Sequence, residues 1–323
     1  MLWFSRQEVS FARIRTDIRR QNMVNWTTKV SGQLEPLIDL IERAVLDGPV
    51  IQLDETPVKV LKLDHTGRRG LGRMWLALGG TSQHRAVRYK FAPGRGKEHA
   101  KALLGGRFHG FLQTDGCSGY ETVLAGTDIR HVLCWAEVRR RFLHAEKSEA
   151  SPLANDALSR IGTLYERENA CRRQAKDKNL TDGEFLDLRQ TLLKPYLSDL
   201  KFWMERTAAR TLPSSKTGEA LAYTLGRWDK LELFLNHPWL TLDNDRAENA
   251  MCPFVAGRKN WLFHLNDAGA EASCRVYTLI ETSKLNGVEP YGYLQQVLTK
   301  LPATLASGDW EALLPWNLKT GGV

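Results

Sequence analysis

Leu242 to Ala250 reads LDNDRAENA, and the reading of this stretch decides the fold. Asp243 or Asn244 can cap a helix running as far as Pro253, because both side chains accept from the free amides of a first turn. That start sets Glu248 on the second turn. Two upstream acids complete a candidate site. Asp54 ends the apolar run Val50 to Leu53 in VIQLDET, and in FLQTDG Asp115 follows Phe111, Leu112 and Gln113, which come just after Gly110. Both runs have the length and punctuation of buried strands that deliver one acid at the tip. Three carboxylates on three elements are the donor set for two Mg²⁺ or Mn²⁺ ions about 3.5–4 Å apart, the arrangement that serves in-line displacement at phosphorus. Without metal, two carboxylates about 4 Å apart repel by roughly 4 kcal/mol at an effective dielectric of 20. The plainer reading makes the aspartates turn or cap residues and Glu248 a helix-dipole partner. Asp243 and Asp245 rival Glu248 as third ligand, but capping already accounts for Asp243.

Outward from these acids, the pattern divides the chain. Residues 1–47 read as helical, with Ile18, Met23, Val24 and Trp26 ahead of a second segment in which Leu34, Leu37, Ile38, Ile41 and Val45 recur at helical spacing. The cluster Arg13, Arg15, Arg19 and Arg20 precedes the first of these helices, an arrangement that can lay a helix on DNA. Residues 48–147 turn to strands: VIQLDETPVKVLKL, RMWLALGG and AVRYKFAP, separated by HTGRRGLG and GGTSQH, form an antiparallel meander. A helix ending at Gly105-Gly106 follows, then the strand of Asp115, a fifth strand in DIRHVLCW and a basic helix, AEVRRRFLHAEK. Arginines of that helix, Arg139 and Arg140 among them, suit bidentate phosphate contacts. Residues 148–238 lack strand signals. Leu153, Ala157, Leu158, Ile161, Leu164 and Tyr165 mark one helix, Leu188, Leu192, Tyr196 and Leu200 a second kinked at Pro195, and Leu221, Leu225, Trp228, Leu231 and Phe234 a third. Residues 239–323 return to the core with Glu248 and C-terminal helices. Within GRKNWLF, Arg258 and Lys259 follow the Glu248 helix as candidate phosphate contacts, whereas Trp261, a residue able to stack on an unpaired base, reads as core with Leu262 and Phe263 beside it. Acids on the first and fourth strands, with a helical insertion before the third acid, give the order of a ribonuclease H-like α/β mixed sheet, an analogy at the level of fold.

Composition limits the partners. The 323 residues carry a formal charge of +8 and a pI near 9.2, which points to a polyanion such as nucleic acid. With 42% hydrophobic and 25% charged residues the chain is globular, and no apolar run approaches a bilayer span. The start, MLWFSRQEVSFARIR, has no leader pattern, so no membrane and a cytoplasmic, nucleoid-associated location are expected. The five cysteines occur singly, without CxxC, so reduced thiols and no zinc are expected.

DETPVKVL, LQTDGCSGY, CWAEVRRRF, LDNDRAENA, GRKNWLF and YTLIETSKLNGVEPYGYL, with RRQNMVNW near the start and LLPWN near the end, together resemble transposases of insertion-sequence family 66. The resemblance runs in order through nearly the whole chain. It implies a DDE transposase with Asp54, Asp115 and Glu248 as catalytic triad and metal ligands. Cleavage at element ends and transfer of the freed 3′-hydroxyl to target DNA follow from it, with a homo-oligomer assembled on DNA and element-encoded helper proteins as possible partners. The family pattern has His where this chain has Glu137. Its members also carry an upstream zinc-binding module, which the resemblance implies this chain lacks. A structure-selective nuclease on the same core and a catalytically silent DNA-binding remnant are the alternatives.

Overall fold

The computed structural model describes residues 2–63, 69–116 and 119–318. In chain order the elements are α1 (Leu2–Arg13), α2 (Arg20–Gln33), α3 (Glu35–Leu46), β1 (Val50–Lys62), β2 (Gly70–Gly80), β3 (Arg85–Ala92), α4 (Lys97–Leu104), β4 (Phe111–Thr114), α5 (Gly119–Leu124) and β5 (Arg130–Leu133). Then follow α6 (Trp135–Glu149), α7 (Pro152–Asp177), α8 (Asp182–Ala208), α9 (Lys216–Leu225), α10 (Trp228–Glu232), α11 (Asp245–Trp261), β6 (His264–Asn266), α12 (Asp267–Leu285) and α13 (Pro290–Ser307). Short 3-10 turns lie at Leu233–Asn236 and Glu311–Leu313. Part of the expected HTGRRGLG turn, and Cys117, fall outside the described residues.

The chain forms two compact units. One comprises Met1–Gly110, Gly119–Ile129 and Asp245–Val323, and the other Phe111–Ser118 and Arg130–Asn244. In the first, β1, β2 and β3 are the expected antiparallel meander, with Asp54 opposite Leu76 and Leu78 opposite Val87. The short β6 adds a parallel pairing to β1 at Val60–His264, which makes this sheet mixed. Three residues are too few to leave a period-2 signal, so β6 was not legible. Val58 and Val60 of β1, Leu76 of β2 and Tyr89 of β3 pack with Ala247, Ala250, Met251 and Phe254 of α11. Arg88, one residue from Tyr89 and so on the opposite face, pairs with Glu42 of α3 at 2.9 Å. Helices therefore cover both faces. At β3 the outward amides of Val87 and Tyr89 donate to Thr282 and Thr278 of α12, at 3.3 and 3.0 Å. An open strand edge is thereby satisfied by hydroxyls one helical turn apart.

In the second unit β4 and β5 pair in parallel, Phe111 against Arg130 through Thr114 against Leu133. The described residues from 152 to 236 contain helices and turns, with no strand. The expected single helix from Leu221 to Phe234 is instead α9, α10 and a 3-10 turn. Gly226 caps α9, and Arg227 leaves helical geometry at φ −130°. The expected face of α8 is also shifted. Phe185, Arg189, Leu193, Leu197 and Leu200 are among its buried residues, while Leu192 is exposed.

Among the described residues the N-terminal helices number three. The basic cluster lies where α1 gives way to α2, with Arg13 closing α1, Arg15 at φ 59° and Arg20 opening α2, so it marks a connection rather than the approach to a first helix. Leu34, Leu37, Ile38, Ile41 and Val45 are all buried, as their spacing requires. Among the described residues no helix is long and apolar enough to cross a membrane. Cys134, Cys171 and Cys274 are buried free thiols, and Cys252 is exposed.

Candidate active site

Asp54 is the fifth residue of a thirteen-residue strand, not the tip of a short one. Alternation continues past it because Thr56, Val58 and Val60 stay buried while Pro57 and Lys59 are exposed. The pairing of β1 with β2 runs without a bulge from Gln52 to Val60, so Asp54 shares its face with Thr56, Val58 and Val60. That is the face on which α11 packs. The Asp54 carboxylate accepts the amide of Glu55 at 2.8 Å. Glu55 is itself nearly buried and ion-paired with Arg95.

Glu248 sits in the first turn of α11 and is partly buried. The helix does not stop at Pro253 but runs to Trp261. Its apolar stripe, Ala247, Ala250, Met251 and Phe254, is continuous across the proline, and this burial outweighs the lost amide. Tyr89 donates its hydroxyl to the Ala250 carbonyl. Arg258 and Lys259 accordingly lie within the last turn of the helix, not in a loop after it. Arg258 donates Nη1 to Thr56 Oγ1 at 2.9 Å and also to the Pro57 carbonyl, which ties α11 to β1 two residues from Asp54. Lys259 is exposed. Trp261 belongs to the core, edge-on to Phe254 at 5.2 Å and against His264 at 4.4 Å, whereas Leu262 is exposed at φ 64°. Burial pulls the His264 pKa down to about 4.

In the second unit Asp115 follows β4 directly, at the strand tip as expected. Thr114, beside it, is buried, and its hydroxyl meets His131 Nε2 at 2.9 Å. Glu137, in the first turn of α6, feels the charge of Asp115. Burial raises its pKa, and Arg140 and Arg141 oppose the rise. Glu137 Oε2 takes Arg140 at 2.6 Å and Oε1 takes Arg141 at 3.2 Å. Arg139 is exposed on the same helix. Asp243 caps a helix, but that helix is α6: its Oδ1 accepts the Ala136 amide at 2.8 Å and the Tyr165 hydroxyl at 2.6 Å. Those bonds, together with Cys134 Sγ at 3.6 Å, give Asp243 a structural employment that the sequence hid. Burial, then the charge of Asp243, pushes the Cys134 thiol up to about 12.

Asp54 and Glu248 thus belong to the first unit and Asp115 to the second. Among the described residues no group of three or more His, Cys, Asp or Glu side chains is gathered closely enough to hold a metal ion. As donors, Asp54, Asp115 and Glu248 offer only hard carboxylate oxygens, a set matched to Mg²⁺ or Mn²⁺. Glu137, marked in the sequence only as standing where the resembled family has His, takes its contacts from the i+3 and i+4 arginines; that spacing was a usable signal for its role.

Comparison with known proteins matches residues 1–272 to a family described as "Transposase IS66 family" and residues 278–316 to an "IS66 C-terminal element". Three uncharacterized proteins of Sinorhizobium fredii are similar over 98% of this chain: y4qI at 31% identity, y4hP at 29% and y4jD at 28%. The match covers 60%, 59% and 63% of their respective lengths. The chain spans about 60% of the length of the first of these relatives.

Proposed function

The chain belongs to the IS66 transposase family, and from that premise we propose that it acts in DNA transposition, cleaving DNA at the ends of an insertion sequence and joining the freed ends to target DNA. Asp54, Asp115 and Glu248 are the acids assigned to this chemistry and would hold the divalent cations. Bound there, Mg²⁺ or Mn²⁺ supplies positive charge that stabilises the attacking and leaving oxygens at phosphorus. The packing of α11 against the Asp54 face of β1 is the observation that carries this reading, because it brings the helix of Glu248 onto the strand of Asp54. The antiparallel β1, β2 and β3 run, with α11 laid on it, likewise supports a ribonuclease H-like core.

The chain's own residues bind and orient the strand. Arg258, fixed at one guanidinium nitrogen by Thr56 and Pro57, offers its remaining donors to a phosphate near Asp54. Lys259, Arg139 and Arg140 add solvent-facing charge for backbone contacts that position DNA without reading sequence. Bringing two element ends together favours a second copy of the chain assembled on DNA, and helper proteins of the element are further candidate partners.

The test is cleavage and strand transfer on DNA carrying the element's ends, with Asp54→Asn, Asp115→Asn and Glu248→Gln. Several kcal/mol of transition-state stabilisation hang on each acid, so each change lowers the rate by at least about 10²-fold while DNA affinity holds. An Asp54→Asn protein that still cuts at the native rate would remove the assignment. Cleavage by the native chain without joining would instead point to a nuclease.

A further inference from the structure

Beside Asp115 the second unit carries a group of charged and aromatic side chains that no cation-binding role uses. Tyr223 of α9 lies under two guanidiniums, Arg141 of α6 at 3.7 Å from its ring centroid and Arg227 at 4.5 Å. The ring is also seated on the turn that follows Asp115. Gly116 has φ +79°, and a Cβ there would meet the Tyr223 hydroxyl oxygen at 2.3 Å. Glycine is what lets the backbone and the phenol come this close.

The charge of this group is unbalanced. Glu137 is shared between Arg140 and Arg141, and Arg227 pairs with no carboxylate among the described residues. The two centroid distances bound the separation of Arg141 and Arg227 at about 8 Å, where like charges repel by roughly 2 kcal/mol at an effective dielectric of 20. An anion placed across both would turn that repulsion into attraction. Arg141 remains partly open, with 42% of its side chain exposed.

We propose that Arg141 and Arg227, carried on the Tyr223 ring, form a phosphate clamp that holds the DNA backbone beside Asp115, with Tyr223 and Glu137 as its positioning residues. Planar guanidiniums suit phosphate oxygens, and prior stacking on an aromatic reduces the freedom lost on binding. The helical insertion then has a part in substrate binding, because Tyr223 and Arg227 both come from it. Glu137, where the family pattern has His, acts here by aligning Arg140 and Arg141. The clamp rests on the proposed role of Asp115 only for its purpose, since its binding readout needs no cleavage.

The experiment measures affinity of the full chain for a short DNA duplex of arbitrary sequence, in chelator, over a range of salt concentrations. Each phosphate contact contributes about 0.9 to the slope of log affinity against log salt. Arg141→Ala and Arg227→Ala should each flatten the slope by about that amount, and the double variant by about twice it. Tyr223→Phe keeps the aromatic platform and should keep the native slope, whereas Tyr223→Leu should flatten it. Native slopes in both arginine variants would overturn the clamp, as would equal loss in Tyr223→Phe and Tyr223→Leu. Asp115→Asn separates the two readings: normal cleavage by that variant alongside flattened slopes in the arginine variants refutes the catalytic assignment and leaves the clamp, and the opposite pair of results does the reverse.

Discussion

Replacing Arg189 with Met should destabilise the chain by about 3–5 kcal/mol, the range for breaking a buried ion pair from one side. The side chain is fully buried, and its partner Glu168 is 4% exposed. Arg189 donates Nη2 and Nε to the two carboxylate oxygens of Glu168, at 2.6 and 3.1 Å. It also donates to the carbonyls of Phe234, His237 and Leu240, the last two at 3.0 and 3.2 Å. Methionine fills much of the volume but satisfies none of these acceptors, and each orphaned buried carbonyl costs about 1–3 kcal/mol. Arg172 still reaches Glu168 at 2.6 Å, which keeps the carboxylate paired and holds the total within the range rather than above it. Urea unfolding is the assay, with a lower midpoint at unchanged slope as the expected result. Glu168→Gln should be costly too, and the double variant should lose less than the sum of the singles, because the two share one network. A loss below about 1 kcal/mol for Arg189→Met, or strict additivity in the double variant, would refute the reasoning.

Lowering the pH should weaken the first unit through His264. Burial depresses its pKa from 6.5 to about 4, and its Nε2 is buried without a hydrogen-bond partner among the described residues. The unfolded chain therefore takes up the proton first: the contribution is intact above pH 6.5 and drains away between pH 6.5 and 4, to a total of about 3 kcal/mol. His264→Phe should flatten that limb of the stability-against-pH curve, and parallel curves for the two proteins would contradict it. Asp243→Ala removes the cap of α6 and the acceptor of Tyr165, and should cost about 2 kcal/mol in thermal or urea unfolding. Asp243→Asn keeps an acceptor oxygen and should retain cleavage that Asp54→Asn loses; equal loss of cleavage in both would restore Asp243 as a rival ligand. Thr278→Val with Thr282→Val unpairs two buried edge amides and should cost about 2–4 kcal/mol by the same unfolding assay, with single changes near half that.

The meander was legible because β1 alternates past Asp54, because β2 and β3 are short apolar runs buried on both faces, and because the sequence between the strands is rich in Gly, Ser and Thr. The helix α3 was legible because Leu37, Ile38, Ile41 and Val45 fall on one side at the helical period. By contrast the buried face of α8 was misread, since apolar residues occupy two registers and Arg189 decides between them. An arginine in an amphipathic helix signals solvent unless its counterion is known, and Glu168 lies on another helix. The end of α11 was misplaced for a related reason. A proline argues locally for termination, while the packing of Ala250, Met251 and Phe254 that carries the helix through it is tertiary. At the candidate site, the strand, turn and helix bearing Asp54, Asp115 and Glu248 could be named from pattern. The cap supplied by Asp243 to α6 could not, because it joins residues more than a hundred positions apart.

These long-range bonds converge on the few residues just ahead of α11. The Leu240 carbonyl is held by Arg172 at 2.9 Å and by Arg189 at 3.2 Å, both from the insertion. The Thr241 carbonyl accepts from Gln113 of β4 at 2.7 Å, and the Leu242 carbonyl accepts the Trp135 amide at 2.9 Å. Asp243 then caps α6. Four consecutive residues, an irregular stretch that would otherwise be free to wander, are each fixed by a side chain or amide from the second unit. The insertion is in this respect an anchor for Leu240 to Asp243, within its own unit. Loosening that anchor with Arg189→Met should therefore speed amide hydrogen exchange around Leu240 to Asp243 more than global unfolding accounts for, and unchanged exchange there would contradict it.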